Sequence, residues 1–355
     1  MAVAWNIKMQ KLFQSSGAVL VAGFCGAMMM LAFTNGSKTL YQNFQTGSTF
    51  VYEAPAPAQP AAVRLVTSAP APKITTLTFV GDIMLDRGIK SSVNKNATGD
   101  YNWLFQNLAS LQTADILFGN LEGPVSDKGS DLGNLYSFRM DPKTVPVLEQ
   151  AGFDVLQIAN NHLGDWGKKA ALDTFARLAS STIVMVGGGQ NYDDAIAVKV
   201  IEKNNLKIGF LAASDVGPNW LAATDRQAGI LLANDPNLPT IIEQAASQVD
   251  LLVVGYHFGD EYKTEPNERQ KELAHLAIDH GAKLVIGTHP HVVQPVEEYG
   301  GGIIAYSLGN FIFDQYFSPE TMSDLALTVV LQGKKIHLII KQNVILDQRY
   351  QPKLE

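Results

Sequence analysis

From residue 74 onward, short apolar segments alternate with amphipathic segments, and this alternation limits the fold more than any other feature of the sequence. Short runs of branched and other apolar residues are typical of buried strands. These runs are Ile74–Val80, Ile116–Phe118, Val155–Ile158, Ile183–Val186, Lys207–Ala213, Leu251–Tyr256, Leu284–Ile286 and Ile303–Tyr306. Because strands that alternate with helices usually form layered sheets, the pattern predicts an α/β fold.

Three segments between these strands have the residue spacing of amphipathic helices. They are Pro142–Ala151, Lys168–Ala179 and Asn267–His280. Gly281 stands where the third helix is expected to end. Further along, Leu325–Gln332 and Ile336–Ile345 flank Gly333, and this arrangement predicts a hairpin. The hairpin adds some antiparallel pairing to the predicted fold.

The N-terminal residues have a different character. The run from Gly17 to Phe33 contains no charged residue, and Lys8 and Lys11 precede it, which favours a cytoplasmic N-terminus. We predict a cytoplasmic segment over residues 1–16, a transmembrane signal anchor over 17–34 and a Pro/Ala-rich linker over 35–73. Residues 74–355 would then form an extracytoplasmic domain held at the cell membrane by a single-pass anchor. A cleaved signal peptide is the alternative, which the poor cleavage-site match after Phe33 disfavours.

Charge and cysteine content exclude several classes of protein. The chain has 27 basic and 34 acidic side chains. Five of the basic side chains and one of the acidic ones lie in residues 1–73. Residues 74–355 therefore carry 22 basic and 33 acidic side chains, a net charge of −11. A duplex nucleic-acid-binding protein needs a basic face, so we expect no nucleic-acid partner. Cys25 is the only cysteine, which excludes an internal disulfide and a cysteine-based zinc site.

Polar side chains follow five of the predicted strands. They are Asp82 and Asp86 after the first, Asn120 and Glu122 after the second, Asn161 and His162 after the third, His257 and Glu261 after Leu251–Tyr256, and His289 and His291 after Leu284–Ile286. In α/β sheets the carboxyl ends of the strands form the usual ligand-binding edge, so these distant residues are expected to converge.

Imidazole, carboxylate and amide groups together favour a divalent metal such as Mn, Fe or Zn. A single strand-end aspartate is more often a turn or helix cap than a ligand. Four of the seven histidines nevertheless follow strands in the company of other ligand-type groups, whereas we expect His275, His280 and His337 to be structural. We therefore predict a site for one or two divalent metal ions.

Several motifs in order resemble the CapA/PgsA family of poly-γ-glutamate capsule synthesis proteins, which belongs with the calcineurin-like metallophosphoesterases. The motifs are GDIMLDR, GNLEGPV, ANNHLGDWG, YHFGDEY and GTHPHVVQPVEEYGGGIIAYSLGNFIFD. The resemblance spans residues 74–314 and implies a four-layer α/β/β/α sandwich of the metallophosphoesterase type. It also implies an N-terminal membrane anchor with an extracytoplasmic domain.

The resemblance assigns roles to individual residues. It implies metal ligands at Asp82, Asn120, Glu122, Asn161, His257, His289 and His291, and it implies His162 as a phosphate binder or general acid. The chain departs from the superfamily in two places. Met84 stands where an Asp-x-His motif has its histidine, and Asn120 with Glu122 replaces a motif that usually carries an aspartate. Either Glu122 or Asp86 could compensate for these losses.

Other residues are candidates for supporting roles. Asp86, Glu261 and Asn310 are predicted to support the metal ligands. Ser307, Asn310 and Asp314 either line the same edge or close a turn, and the sequence leaves both interpretations open. Arg87, Lys90 and Arg139 are candidates for the positive charge that an anionic substrate would need.

The sequence predicts a membrane-anchored, extracytoplasmic protein of capsule synthesis or export whose metal site hydrolyses a phosphoester. The alternative is a non-catalytic component that uses the metallophosphatase fold to bind an anionic polymer. The family resemblance implies polyglutamate synthase subunits as partners.

Overall fold

The computed structural model describes residues 73–355. Among these residues, none of the helices is both long enough and apolar enough to cross a bilayer. The predicted cytoplasmic segment and membrane anchor lie outside the described residues, as does the predicted linker except for Lys73. These three assignments therefore stay predictions.

The first sheet combines strands from both ends of the described chain. Its order is β16 (Pro352–Leu354), β15 (Lys335–Leu346), β14 (Ser323–Gln332), β1 (Ile74–Ile83), β2 (Ile116–Leu121), β3 (Val155–Gln157) and β4 (Val184–Val186), with β13 (Asn310–Ile312) paired to the end of β1. Strands β1 to β4 are parallel, and β14, β15 and β16 are antiparallel. The predicted hairpin is confirmed by the pairing of β14 with β15.

The second sheet has a parallel centre and antiparallel edges. Its order is β11 (Val296–Tyr299), β12 (Gly302–Ala305), β10 (Leu284–Thr288), β9 (Leu251–His257), β7 (Leu206–Ser214) and β6 (Lys199–Lys203). The central four strands are parallel, while β6 and β11 pair in the antiparallel direction. A small separate sheet joins β5 (Gly188–Gly189) to β8 (Gly229–Ile230). All eight strands predicted from the sequence are confirmed.

Helices cover the outer faces of the two sheets. They are α1 (Arg87–Ala97), α2 (Thr144–Gln150), α3 (Gly167–Ala179), α4 (Tyr192–Ile196), α5 (Leu238–Ser247) and α6 (Glu268–Asp279), and short 3₁₀ turns occupy Tyr101–Phe105, Leu111–Thr113, Asn219–Leu221 and Glu320–Met322. Helices α1 to α3 contribute to the core on the first sheet, and α5 and α6 pack on the second. The layers are therefore helix, sheet, sheet and helix, as predicted. Helix α6 ends just before Gly281, whose φ of +108° confirms it as the residue that stops the helix.

The inner faces of the sheets pack closely on each other. Phe118 of β2 stacks on Phe210 of β7 with ring centroids 6.2 Å apart. At Gly255 of β9, a Cβ atom would lie 2.1 Å from Oε1 of Gln157 on β3, so a larger residue there would have to displace the Gln157 side chain. The two sheets therefore approach closely at this point.

The strand registers bring the predicted site residues to a shared edge. In the first sheet, Asp82 is paired with Asn120 on one side and Asn310 on the other. In the second sheet, His257 is paired with Thr288, and His289 follows directly. Since all these strands are parallel and end at the same edge, polar side chains from both sheets meet there.

Candidate metal centre

Three polar side chains from β1 and β2 form the floor of the site. Asn120 Nδ2 donates to Asp82 Oδ1 at 2.7 Å and lies 3.4 Å from Glu122 Oε2. Asp82, Asn120 and Glu122 are fully buried. Asn160 Nδ2 donates to Asn120 Oδ1 at 3.3 Å, which fixes the orientation of the Asn120 amide. Two carboxylates are thus held side by side away from water.

His257 joins this floor to the second sheet. Its Nε2 lies 2.8 Å from Asn161 Oδ1, and its Nδ1 lies 3.0 Å from Thr288 Oγ1 and 3.4 Å from Asn120 Nδ2. One donor atom each from Asp82, Glu122 and His257 can be chosen so that all three lie within 4.8 Å of one another. The arrangement has the dimensions of a cation-binding site.

The turn after β10 places two more imidazoles beside the carboxylates. The backbone N–H of His289 donates to Asp82 Oδ2 at 3.3 Å, and His291 Nδ1 lies 3.2 Å from the same oxygen. His289 and His291 have φ values of +99° and +58°, a left-handed conformation that side chains larger than glycine rarely adopt. Backbone strain of this kind persists at sites where it positions functional groups. Here it turns both imidazoles of the His-Pro-His segment toward one place.

His162 lies at the mouth of the site. Its Nδ1 is 2.8 Å from Asp165 Oδ2, and its Nε2 is 3.8 Å from Glu122 Oε1. The Asp165 carboxylate also accepts from the backbone N–H of Phe138 at 2.9 Å, and the Phe138 ring lies 4.1 Å from the His162 ring. Since Asp165 accepts the Nδ1 proton, the Nε2 atom of His162 is left facing the site.

Burial of the carboxylates and imidazoles shifts the pKa values of several groups of the site. Burial and the neighbouring Asp82 carboxylate raise the pKa of Glu122 well above its ordinary value. Burial and the adjacent imidazoles lower the pKa of His257 well below its usual value and that of His289 to about 3. Within residues 73–355, no lysine or arginine pairs with Asp82 or Glu122, and the groups nearest their oxygens are imidazoles.

The structure separates the supporting candidates into two groups. Glu261 can place an oxygen within 4.8 Å of the imidazole nitrogens of His289 and His291, and Asn310 Oδ1 lies 3.0 Å from His291 Nδ1. Asp86 instead accepts from the backbone N–H of Arg139 at 2.9 Å, so it does not join the carboxylates of the site. Of the two residues that could compensate for the missing histidine, Glu122 is the one placed to do so.

The other departures from expectation have clear physical reasons. The sulfur of buried Met84 accepts from the backbone N–H of Asp86 at 3.2 Å, so it serves the turn after β1. Arg87 pairs with Asp314, which offsets its positive charge. Arg139 stacks on Trp166, with 3.6 Å between the guanidinium carbon and the ring centroid. The positive charge expected from Arg87 and Arg139 is therefore already engaged.

Lys90 and Ser307 are not among the residues whose donor atoms meet at the metal centre. Lys90 is exposed on α1. Ser307 Oγ accepts from the backbone N–H of Gly309 at 3.3 Å, so it closes a turn, whereas Asp314 lines a pocket beside the site.

Two residues of the site were not identified from the sequence. Asp165 orients His162, and Thr288 is in hydrogen-bonding distance of His257. Both stand within quoted motifs, and Asp165 follows His162 by three residues within one turn. An aspartate at that spacing from a histidine is the signal that could have identified it.

The donor set fits a divalent metal. Glu122 Oε1 and His289 Nδ1 are buried without a hydrogen-bond partner, although polar atoms in protein interiors are normally paired. Carboxylate, imidazole and amide donors, with no thiolate among the described residues, suit Zn, Mn or Fe. A cation held by Asp82, Glu122 and His257 would offset the charge of the two carboxylates. A second donor group of Glu261, His289 and His291 allows for a second ion.

The fold and this site define a mixed α/β protein with a histidine- and carboxylate-rich centre between its two sheets. Residues 76–315 match the family model described as "Bacterial capsule synthesis protein PGA_cap". The chain belongs to this family.

Relatives from several bacteria support this assignment. The chain is 36% identical over 249 residues to the capsule biosynthesis protein CapA of Bacillus anthracis, covering 68% of this chain and 60% of the relative. It is 34% identical over 246 residues to the PGA biosynthesis protein CapA of Bacillus subtilis, covering 68% and 64%. A "probable polyglutamine synthesis accessory protein" of Mycobacterium tuberculosis is 29% identical over 289 residues, covering 68% and 75%. The match spans less than two thirds of either Bacillus protein.

Solved structures with a similar arrangement are more distant. A 5′-nucleotidase precursor from Thermus thermophilus aligns with a TM-score of 0.47 and 13% identity over 79% of this chain and 56% of that one. The calcineurin-like phosphoesterase YfkN from Bacillus subtilis aligns with a TM-score of 0.46 and 13% identity over 77% and 91%.

Proposed function

We propose that this protein is a metal-dependent phosphoester hydrolase. One observation carries the proposal: buried carboxylates and imidazoles from both sheets converge without a lysine or arginine partner among the described residues, and Glu122 Oε1 and His289 Nδ1 have no hydrogen-bond partner. A purely structural role does not account for such atoms, since a buried polar atom without a hydrogen-bond partner costs about 1–3 kcal/mol.

The residues that would hold metal are those whose donor atoms converge at the edge of the two sheets. They are Asp82, Asn120, Glu122, Asn161, His257, His289 and His291. Divalent ions in such a site supply Lewis-acid polarisation of phosphoryl oxygen and a supply of hydroxide near neutral pH. Thr288, Asn160 and Asn310 orient the ligands through the hydrogen bonds already described.

His162 is the residue placed to handle a proton. Its Nδ1 proton is held by Asp165, so its Nε2 points toward the space above Glu122. In that position His162 can donate a proton from Nε2 to a leaving-group oxygen or hold a phosphoryl oxygen. Asp165 keeps the ring in one orientation through the 2.8 Å contact with Nδ1.

The names of the relatives extend the proposal to capsule formation. We infer a role in the synthesis or export of a poly-γ-glutamate capsule, with polyglutamate synthase subunits as partners. The apolar run beginning at Gly17, with Lys8 and Lys11 before it, supports a single-pass anchor and an extracytoplasmic position for the site.

The test is turnover of a generic phosphodiester by the purified full-length chain. Bis(p-nitrophenyl) phosphate is the probe, and the chain is assayed as purified, after chelation, and after return of Mn²⁺, Fe²⁺ or Zn²⁺. Loss of activity on chelation and recovery with one of these ions is the expected result. Stoichiometric metal without turnover would overturn hydrolysis and favour the non-catalytic polymer-binding role.

A further inference from the structure

A pocket beside the metal centre has an unusual lining. It has a volume of about 280 Å³ and opens next to His162 and His291. Five aromatic side chains line it: Tyr136, Phe138, Tyr262, Tyr316 and Phe317. Tyr136, Tyr316 and Phe317 are 52%, 75% and 61% exposed, which is unusual for large apolar side chains unless they meet a partner or ligand.

Tyr262 is held more firmly than the other exposed rings of this pocket. Its backbone N–H donates to the carbonyl oxygen of Pro290 at 2.8 Å, and its hydroxyl accepts from Gln315 Nε2 at 3.2 Å. Phe317 packs edge-on against it with centroids 5.0 Å apart. Its φ of +64° is rare for a bulky side chain, so the surrounding contacts maintain a strained backbone there. The Tyr262 ring is therefore fixed beside the His-Pro-His turn.

The same contacts connect Tyr262 to the metal centre. Gln315 Oε1 accepts from Asn310 Nδ2 at 3.0 Å, and Asn310 Oδ1 lies 3.0 Å from His291 Nδ1. The rings of Tyr262 and His291 have centroids 6.2 Å apart. His162, His291 and Tyr262 line one pocket, so a molecule whose phosphoryl group lies at the two histidines shares that pocket with the Tyr262 ring.

The charged residues of the pocket do not favour a polyanion. Arg87, which lines the pocket, is paired with Asp314, and Glu261 adds a carboxylate. The volume also suits a single ring system better than a polymer segment, because ligand pockets usually start at about 300 Å³.

We propose that Tyr262 is a stacking platform for a planar ring in the leaving group of the substrate. The substrate class is then a phosphoester that carries an aromatic or heteroaromatic ring close to phosphorus. This inference rests on the proposed phosphoesterase function. Offset or edge-on contacts between aromatic rings supply the preference for a flat ring over a puckered ring of equal size.

The experiment measures binding of three phosphonates, whose carbon–phosphorus bond survives a phosphoesterase. Phenylphosphonate offers a flat ring, cyclohexylphosphonate a puckered ring and methylphosphonate no ring. Each is titrated calorimetrically into the metal-loaded full-length chain, its Tyr262→Phe variant and its Tyr262→Ala variant. We expect phenylphosphonate to bind roughly five- to tenfold more tightly than the other two, a preference that Tyr262→Phe keeps and Tyr262→Ala abolishes.

Each outcome separates this inference from the function it rests on. Equal binding of all three probes with hydrolysis intact overturns the stacking platform alone. A ring preference without hydrolysis overturns the proposed reaction and leaves the platform. Absence of binding by all three overturns the platform, and it overturns the reaction as well when turnover is also absent. If Tyr262→Ala fails to fold in thermal melts, Tyr262→Leu replaces it, and an unchanged ring preference in that variant contradicts the proposal.

Discussion

Two buried carboxylate clusters of this chain differ in how their charge is balanced. Asp173 on α3 accepts from Lys128 Nζ at 2.6 Å, Arg177 Nε at 2.8 Å and Ser126 Oγ at 2.8 Å. These partners lower its pKa to about 2. At the sheet edge, Glu122 lies beside the Asp82 carboxylate without a lysine or arginine partner, and its pKa is raised.

The difference shows what distinguishes a structural carboxylate from a ligand. The Asp173 cluster is complete as the chain folds, because the protein supplies its cations. The metal centre is complete only when a cation comes from outside. A third group, His275 with Glu297 and Tyr306, also combines imidazole and carboxylate, but its polar atoms are paired with one another, and the His275 and Glu297 side chains are 30% and 38% exposed. Residue type alone therefore does not define a metal site.

The largest expected effect is loss of metal from the sheet edge. We expect Asp82→Ala and His289→Ala to bind metal more than about 100-fold more weakly, because loss of residues that merely support metal ligands already costs about 10- to 100-fold. Elemental analysis and turnover measure the effect. His275→Ala is the matched control, and equal metal loss in that variant would remove the contrast between the two histidine groups.

The next effect separates chemistry from metal binding. We expect His162→Gln to lower turnover by about 10²–10⁴-fold, the usual contribution of a general acid, with metal content unchanged. Rates on good and poor leaving groups measure it, since loss of a proton donor matters more for a poor leaving group. A variant with equal losses on both leaving groups would speak against His162 as the acid.

A smaller effect is expected at the residue that orients His162. Asp165→Asn keeps the size of the side chain but weakens its hold on the imidazole proton, and we expect turnover to fall roughly 10- to 100-fold. The loss should be larger for a poor leaving group than for a good one, because a misoriented imidazole is a poorer proton donor. Equal losses on both leaving groups would mean that Asp165 only supports the 134–138 segment.

The smallest expected effect is a change in stability at the Asp173 cluster, where the protein itself supplies the cations. Asp173→Asn should lower the free energy of unfolding by about 1–2 kcal/mol, a reduced value because Lys128 is largely exposed. Because the folded-state pKa is lowered from 3.8 to about 2, the stabilisation is present above pH 3.8 and is lost as pH falls toward 2. Urea titrations across that range measure it, and a stability difference that persists at pH 2 would contradict the assignment.

Much of the fold could be predicted because its strands are short, apolar and fully buried. No sequence pattern indicates helix α1, since it buries only Ile89 and Val93 and most of its other residues are polar. Helix α5 has one sequence feature that indicates where it begins, which is Pro239 in its first turn, a position where proline is favoured. Short edge strands such as β6 and β11 have little apolar character, so no pattern distinguishes them from loops.

The candidate site was predictable as a set of residues at strand ends but not as a geometry. The turn after β1 decides whether Asp86 or Glu122 reaches the carboxylate cluster. In that turn the backbone N–H of Asp86 donates to the sulfur of Met84, and the Asp86 carboxylate accepts from the backbone N–H of Arg139. The pairing of Arg87 with Asp314 joins residues 227 positions apart, and no local pattern encodes such a contact.

Anomalous diffraction from crystals of the protein grown with Mn²⁺ tests the metal centre most directly. We predict a manganese peak within coordinating distance of Asp82, Glu122 and His257, and no peak at the Asp173 cluster. Ordered water in place of manganese at the sheet edge, with thermal stability unchanged by the ion, would contradict the assignment.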